Sequence, residues 1–213
     1  SILNQAPNVH NAYVPEASEW YRMENDFVSK VHPTSGHVHF AESDSHRPLL
    51  LRANTILPVV SNAKLPTVVN TANLKKSPIE LWVLPNSTGS ASGDLFFDDG
   101  ESIDTVESGN YNLYEFKLSN CHLNVEVAHF GYKAPSNSHD VLKVDTIKVA
   151  LSSSKSINNE NLIVSIDGSN HLKANIEHNT LNIHLNEAVD LLKSNKKVSI
   201  VFSNKNSGEC FTH

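Results

Sequence analysis

Two adjacent acids, Asp98 and Asp99, followed by Gly100 and Glu101, are the densest cluster of chemistry-bearing side chains in this sequence. Two carboxyl groups that act together on one bond, as nucleophile and acid, must sit about 5 Å apart, one on each side of it. Adjacent strand residues point to opposite faces, and adjacent turn residues turn back on the backbone. Asp98 and Asp99 therefore read as a structural turn, with a carboxylate accepting backbone N–H bonds and Gly100 taking the tight position. Clustered oxygens on Asp98, Asp99 and Glu101 also suit a hard cation, but their spacing does not follow a calcium loop. No catalytic residue and no metal ligand is assigned. The sequence has no Gly-x-Ser-x-Gly elbow, no phosphate-cradling glycine loop and no Cys-x-x-Cys pair, and no cofactor is expected.

Other groups have narrower readings. His37 and His39 would lie on one face of a strand, with His46 nearby in sequence, and read as surface histidines. Trp20 and Tyr21, with Trp82, could form a platform for stacking on sugar or could pack in a β core. Cys121 and Cys210 could form one bridge, whose long loop would stabilise by about 4 kcal/mol in the chain-entropy model, or remain buried thiols. Asn86-Ser87-Thr88 is the single N-glycosylation sequon and marks Asn86 as an acceptor candidate.

The elements that must position these groups read as strands. Apolar residues alternate at Ile79, Leu81 and Val83, at Tyr114, Phe116 and Leu118, and at Leu123, Val125 and Val127. The same period recurs at Ile147, Val149 and Leu151, at Leu162, Val164 and Ile166, at Leu181, Ile183 and Leu185, and at Val198, Ile200 and Phe202. Successive strand residues face opposite ways, so each run predicts a half-buried strand. Asp99-Gly100 and Asp167-Gly168 punctuate them as turns. Asn186 could cap a short helix through Lys193, and a strand or turn fits there nearly as well. The small, polar stretch from Pro85 to Gly93 reads as a long surface loop near a domain junction.

The 213 residues suffice for one large β domain or two small ones. A 39% hydrophobic and 19% charged composition is that of an ordinary globular chain. The net charge of -6 argues against a nucleic-acid partner and against docking on an anionic membrane. No apolar run approaches the roughly 20 residues of a membrane helix, so no membrane insertion is expected. The start at Ser1 reads as a processed end or the edge of an excised fragment.

Two stretches resemble a known family. Ala12-Tyr13-Val14-Pro15, Glu19-Trp20-Tyr21 and the run from Arg47 to Pro58 are similar to the segment that follows the catalytic barrel in glycoside hydrolase family 31. There a Tyr-Phe-Pro and Trp-Tyr strand pair leads to Arg-Gly-Gly-x-Ile-Leu-Pro. Gly93-Asp94-Leu95-Phe96-Phe97-Asp98-Asp99-Gly100-Glu101-Ser102 resembles that family's Gly-x-Leu-Phe-x-Asp-Asp-Gly-Glu-Ser turn, and Gly109 and Tyr111 follow at the matching distance. The likeness is clear over about residues 1–118. Ala53 and Asn54 depart from it by replacing the paired glycines, which restricts the backbone shapes open there.

The resemblance implies an all-β fold of two β-sandwich domains, a proximal one over 1–85 that packs on the barrel and a distal one over 86–213. It implies a non-catalytic C-terminal portion of a retaining α-glucosidase similar to the lysosomal acid and intestinal enzymes. The catalytic aspartates belong to the barrel, so the implied partner is that barrel portion, carried on a separate chain, and the implied setting is lysosomal or secreted. The alternative is a free carbohydrate-binding or protein-interaction sandwich without hydrolase activity.

Overall fold

The alternating runs do form strands, and the fold is all-β; the described residues add two four-residue α-helices and one short 3-10 helix. The computed structural model describes residues 9–15, 18–24, 27–31, 36–41, 49–135, 140–151, 162–166, 173–177, 180–192 and 198–204. Asp167, Gly168, His46 and Cys210, singled out above, lie outside them.

The largest sheet runs β12 (Leu162–Ile166), β15 (Val198–Asn204), β10 (His122–Phe130), β9 (Asn112–Ser119), β8 (Ala91–Phe97), β6 (Thr55–Val59), β7 (Ile79–Leu84), β11 (Lys143–Ala150), β14 (Thr180–Asp190) and β13 (Lys173–Glu177). Its two halves meet at the parallel contact of β6 with β8, a single register pair between Thr55 and Ser92. So thin a seam lets the sheet fold over on itself. Residues of β9, β10 and β15 then share one apolar core with those of β7, β11 and β14, including Tyr114, Phe116, Leu123 and Phe202 on one side and Leu81, Val83, Ile147 and Ile183 on the other. The Tyr114 hydroxyl crosses the core to donate to the Leu191 carbonyl at 2.7 Å.

Two smaller sheets lie outside this sandwich. One is β3 (Phe27–Val31), β2 (Trp20–Glu24) and β5 (Leu49–Arg52), and the other pairs β1 (Val9–Tyr13) with β4 (His37–Ala41). Tyr21, Met23 and Leu51 of the first pack on Trp82, Leu84 and Ala150 of the sandwich. Val14, Val38 and Phe40 pack in turn on Trp20 and Leu50. Every residue of β7 is buried, because one face serves the sandwich core and the other serves this second layer.

Several details depart from the sequence expectations. The stretch from Pro85 to Gly93 connects β7 to β8, and strand structure resumes already at Ala91. Strands on both sides of it lie in the same sheet and core, so the expected 1–85 and 86–213 division does not coincide with a break in pairing. The alternative of a helix from Asn186 gives way to strand: β14 runs to Asp190 and pairs Val189 with Val144 and Asp190 with Lys143. Pairing to β11 outweighs the weak local helix signal there. Ser119-Asn120-Cys121-His122 forms a two-residue hairpin turn with both central residues at positive φ, 47° and 61°. Asn tolerates that region and Cys does not readily, so the turn carries no glycine signal in sequence. Among the described residues, no helix is long and apolar enough to cross a membrane.

Candidate functional site

The acidic motif starts with a glycine whose absence of side chain is required. A Cβ at Gly93 would lie 2.0 Å from the Ile56 carbonyl oxygen, at the seam where β8 crosses β6. β8 then delivers Asp98 and Asp99 into a tight turn. Asp98 Oδ1 accepts from the Gly100 N–H at 2.8 Å and its Oδ2 accepts from the Thr105 hydroxyl at 3.0 Å. Asp99 Oδ1 accepts from the Glu101 and Ser102 N–H groups, both at 2.9 Å, and Oδ2 accepts from the Ser102 hydroxyl at 2.6 Å. The Ser102 hydroxyl bond and those two backbone donors hold the Asp99 carboxyl at a pKa of about 2. Gly100 takes φ 76°. The carboxylates of the motif are thus engaged in shaping the turn.

Two neighbouring groups lock the turn to the sandwich. The Lys75 ammonium donates to the Asp98 carbonyl and lies over the rings of Phe97 and Tyr132, 4.9 Å and 5.8 Å from their centres. Downstream, a short helix over Thr105–Ser108 ends on Gly109 at φ 70°, a left-handed cap. Gly131 packs against it, since a Cβ there would meet the Gly109 carbonyl oxygen at 1.8 Å. Tyr111 stacks between Phe96 at 5.0 Å and His129 at 4.1 Å. Gly93, Asp98, Asp99, Gly100, Gly109 and Tyr111 therefore form one packed structural unit.

A second polar cluster lies inside the molecule, and the sequence reading missed it. Glu80 of β7 is 4% exposed. Its carboxylate receives Lys64 at 3.0 Å, Lys148 at 3.1 Å and the Trp82 indole N–H at 3.1 Å. Lys64 also bridges to Asp145 at 2.5 Å, and the Lys148 ammonium lies over the Trp82 ring at 5.2 Å. Burial alone would raise the Glu80 pKa, but bonds from Lys64, Trp82 and Lys148 outweigh it and bring the carboxyl to about 2. The available signal was a lone acid in the apolar run Ile-Glu-Leu-Trp-Val-Leu; its charged partners Lys64 and Lys148 lie outside that run. Among the described residues, no three His, Cys, Asp or Glu side chains gather to hold a metal ion.

The aromatic pair Trp20 and Tyr21 is packed. Tyr21 is 3% exposed, donates its hydroxyl to the Pro85 carbonyl at 2.7 Å, and has its pKa raised to about 12 by burial and by the Glu19 charge. It has no open ring face to offer a sugar. Trp20 is half-buried against the cluster of Val14, Val38 and Phe40, with its indole N–H directed to the Pro15 carbonyl at 3.3 Å. Trp82, the third ring of the expected platform, is enclosed. His37 and His39 are exposed on one face of β4, opposite Tyr13 and Asn11. His39 Nδ1 lies 2.6 Å from Asn11 Oδ1. The structure does not bring them to the acidic turn.

Asn54 takes the left-handed conformation, φ 64°, that a glycine would occupy without strain. The neighbouring Ala53 is buried, with its N–H bonded to the Glu19 carbonyl at 2.8 Å. The Ala-Asn pair thus keeps the backbone shape open to Gly-Gly. Cys121 is buried and disulfide-bonded. Asn86 sits at the head of the β7–β8 turn, where its Oδ1 accepts from the Thr88 N–H at 3.0 Å, the Thr88 hydroxyl at 2.7 Å and the Ser90 N–H at 3.0 Å. The turn is tied to β2 and its approach by the Ser87 N–H, which donates to Glu19 Oε2 at 2.6 Å.

Comparison with known proteins places this arrangement. No family model matches the chain. Human intestinal sucrase-isomaltase is 32% identical over 148 residues, covering 70% of this chain and 7% of that protein. Rat lysosomal alpha-glucosidase is 39% identical over 70 residues, covering 33% of this chain and 7% of that protein. Among solved structures, the ER glucosidase II heterodimeric complex of catalytic subunit and regulatory-subunit binding domain superposes with a TM-score of 0.64 at 18% identity. That match covers 95% of this chain and 22% of the other, so the same fold occurs as a minor part of a larger polypeptide.

Proposed function

Because this chain is a region related to the glycoside hydrolase family 31 α-glucosidases, we propose that it is their non-catalytic β portion. In this reading it braces a barrel that carries the catalytic aspartates and cleaves terminal α-linked glucose with retention. The observation that carries the reading is the state of the acidic motif. Asp98 and Asp99 direct their oxygens to N–H and hydroxyl groups of their own turn, an arrangement that stabilises a fold and does not flank a glycosidic bond.

The role of such a portion is mechanical. Leu65, Val68 and Val69, on the connection between β6 and β7, expose apolar side chains to solvent. Covering them against a neighbour would contribute about 25 cal/mol for each Å² of apolar surface removed from water. The connection springs from β6 and β7, so a neighbour seated there would rest on strands packed in the core. Small displacement of catalytic groups lowers rates steeply, and a stiff brace limits it. The barrel would be a separate chain or an upstream part of the same polypeptide, in a lysosomal or secreted setting.

The test is reconstitution. The chain alone should release no glucose from maltose. Mixed with the upstream catalytic portion of its parent protein, it should co-elute in gel filtration and raise that portion's thermal stability. Glucose release by the purified chain, or failure to associate with the catalytic portion in either order of expression, refutes the reading.

A further inference from the structure

We propose that Asn86 carries an N-linked glycan, joined through its Nδ2 atom at the exposed turn between β7 and β8. A three-residue sequon alone is a weak signal. Three independent features of the molecule make this one specific.

The first is how the turn uses the asparagine. The side-chain bonds of Asn86 fall on its carbonyl oxygen, from the Thr88 N–H, the Thr88 hydroxyl and the Ser90 N–H. Among the described residues nothing accepts from Nδ2, and the atom is not fully enclosed. The nitrogen can therefore change from primary to secondary amide without costing the turn a bond. The second is access. Ser87 and Thr88 are exposed. The turn is closed by bonds from Asn86 N–H to the Ser90 carbonyl at 3.0 Å and from Gly89 N–H to the Asn86 carbonyl at 2.9 Å. The third is compartment. The disulfide at Cys121 marks a chain that has met an oxidising environment. Secretory chains pass through that environment, and it is on them that sequons are read as glycan acceptors.

The reaction needs one co-reactant, a lipid diphosphate-linked oligosaccharide. The Nδ2 lone pair forms a bond to the anomeric carbon, and the bond from that carbon to the diphosphate oxygen breaks. The diphosphate leaves with the electron pair, and one Nδ2 proton passes to a base of the transferase. Nothing is oxidised or reduced.

The experiment expresses the full chain through a eukaryotic secretory route and treats it with peptide N-glycosidase in ¹⁸O water. Release should convert Asn86 to ¹⁸O-labelled Asp in wild type and in Thr88→Ser, which keeps the sequon. The label and the accompanying mobility shift should be lost completely in Thr88→Val and in Asn86→Asp. Asn86→Asp is the decisive variant, because it keeps the oxygen acceptors of the turn and removes only the nitrogen. If a variant is not secreted, glycopeptide mapping of wild type decides alone. Secreted wild type with its Cys121 disulfide formed and Asn86 unmodified overturns the proposal.

Discussion

Replacing Glu80 with Gln removes the one buried anion that receives two lysines and an indole while nearly preserving volume. The carboxyl is brought from its ordinary 4.5 to about 2 by those donors, after the opposing effect of burial is already included. At 1.36 kcal/mol per pH unit, that drop corresponds to about 3 kcal/mol of folded-state stabilisation of the charged form. Removing one partner of a buried ion pair typically costs about 3–5 kcal/mol, which brackets the same value. Because the folded pKa is depressed, the contribution is fully present above the unfolded value near 4.5. It is lost as pH falls through the window from 4.5 to about 2. Urea unfolding of wild type and Glu80→Gln at pH 7, 4 and 2.5 reads this directly. The gap should be about 3 kcal/mol at pH 7, equivalent to a Tm difference of roughly 6–12 °C, and should shrink steadily through that window. A gap below about 1 kcal/mol at pH 7, or one that stays constant down to pH 2.5, refutes the argument from the Lys64 and Lys148 contacts.

Three other perturbations test separate parts of the structure. Gly93→Ala forces a methyl group to within 2.0 Å of the Ile56 carbonyl oxygen; backbone cannot yield as a side chain can, so a loss of about 3 kcal/mol or more is expected in chemical denaturation. Reducing the disulfide at Cys121 should lower stability by about 2–5 kcal/mol, seen as a fall in Tm on adding a phosphine reductant. Val68→Asp combined with Val69→Asp places charge on exposed apolar positions; it should leave the Tm of the chain within about 2 °C while weakening co-elution with a catalytic portion at least tenfold.

Strand identity was legible because each strand of the sandwich buries one face, and a two-residue period is the direct imprint of that geometry. Tyr114, Phe116 and Leu118 point into the core as their alternation requires. β7 was legible as a strand but not as a central one. Its second face, Trp82 and Leu84, is covered by Tyr21 and Leu51, which nothing local to residues 79–84 reveals. The acidic turn could be read from sequence because its bonds are short-range, from Asp98 to Gly100 and from Asp99 to Ser102. The Glu80 cluster could not, because Lys64, Lys148 and Asp145 reach it only after β6, β7 and β11 have assembled. Trp20 and Tyr21 show the same limit from the other side. An aromatic pair on a strand suits a sugar platform and a core equally well until the covering layer is known.

The change of composition near residues 85–93 falls on a surface turn, and the strands on both sides of it, β7 and β8, lie in one sheet. β6 holds β7 by antiparallel pairing and touches β8 at Thr55 and Ser92. β7 in turn pairs in parallel with β11 and carries the outer layer on Trp82 and Leu84. Separating the chain at that turn would expose Leu81, Val83, Ile56 and Trp82 together, all of them now fully buried. At about 1.5–3 kcal/mol for each large apolar side chain returned to water, such a cut would remove more than a marginally stable β domain has to lose. The same two strands therefore set the seam that Gly93 must cross, enclose the Glu80 charge and support the apolar connection offered to a neighbour. In the proposed role as a brace, the contact surface and the core would share one backbone.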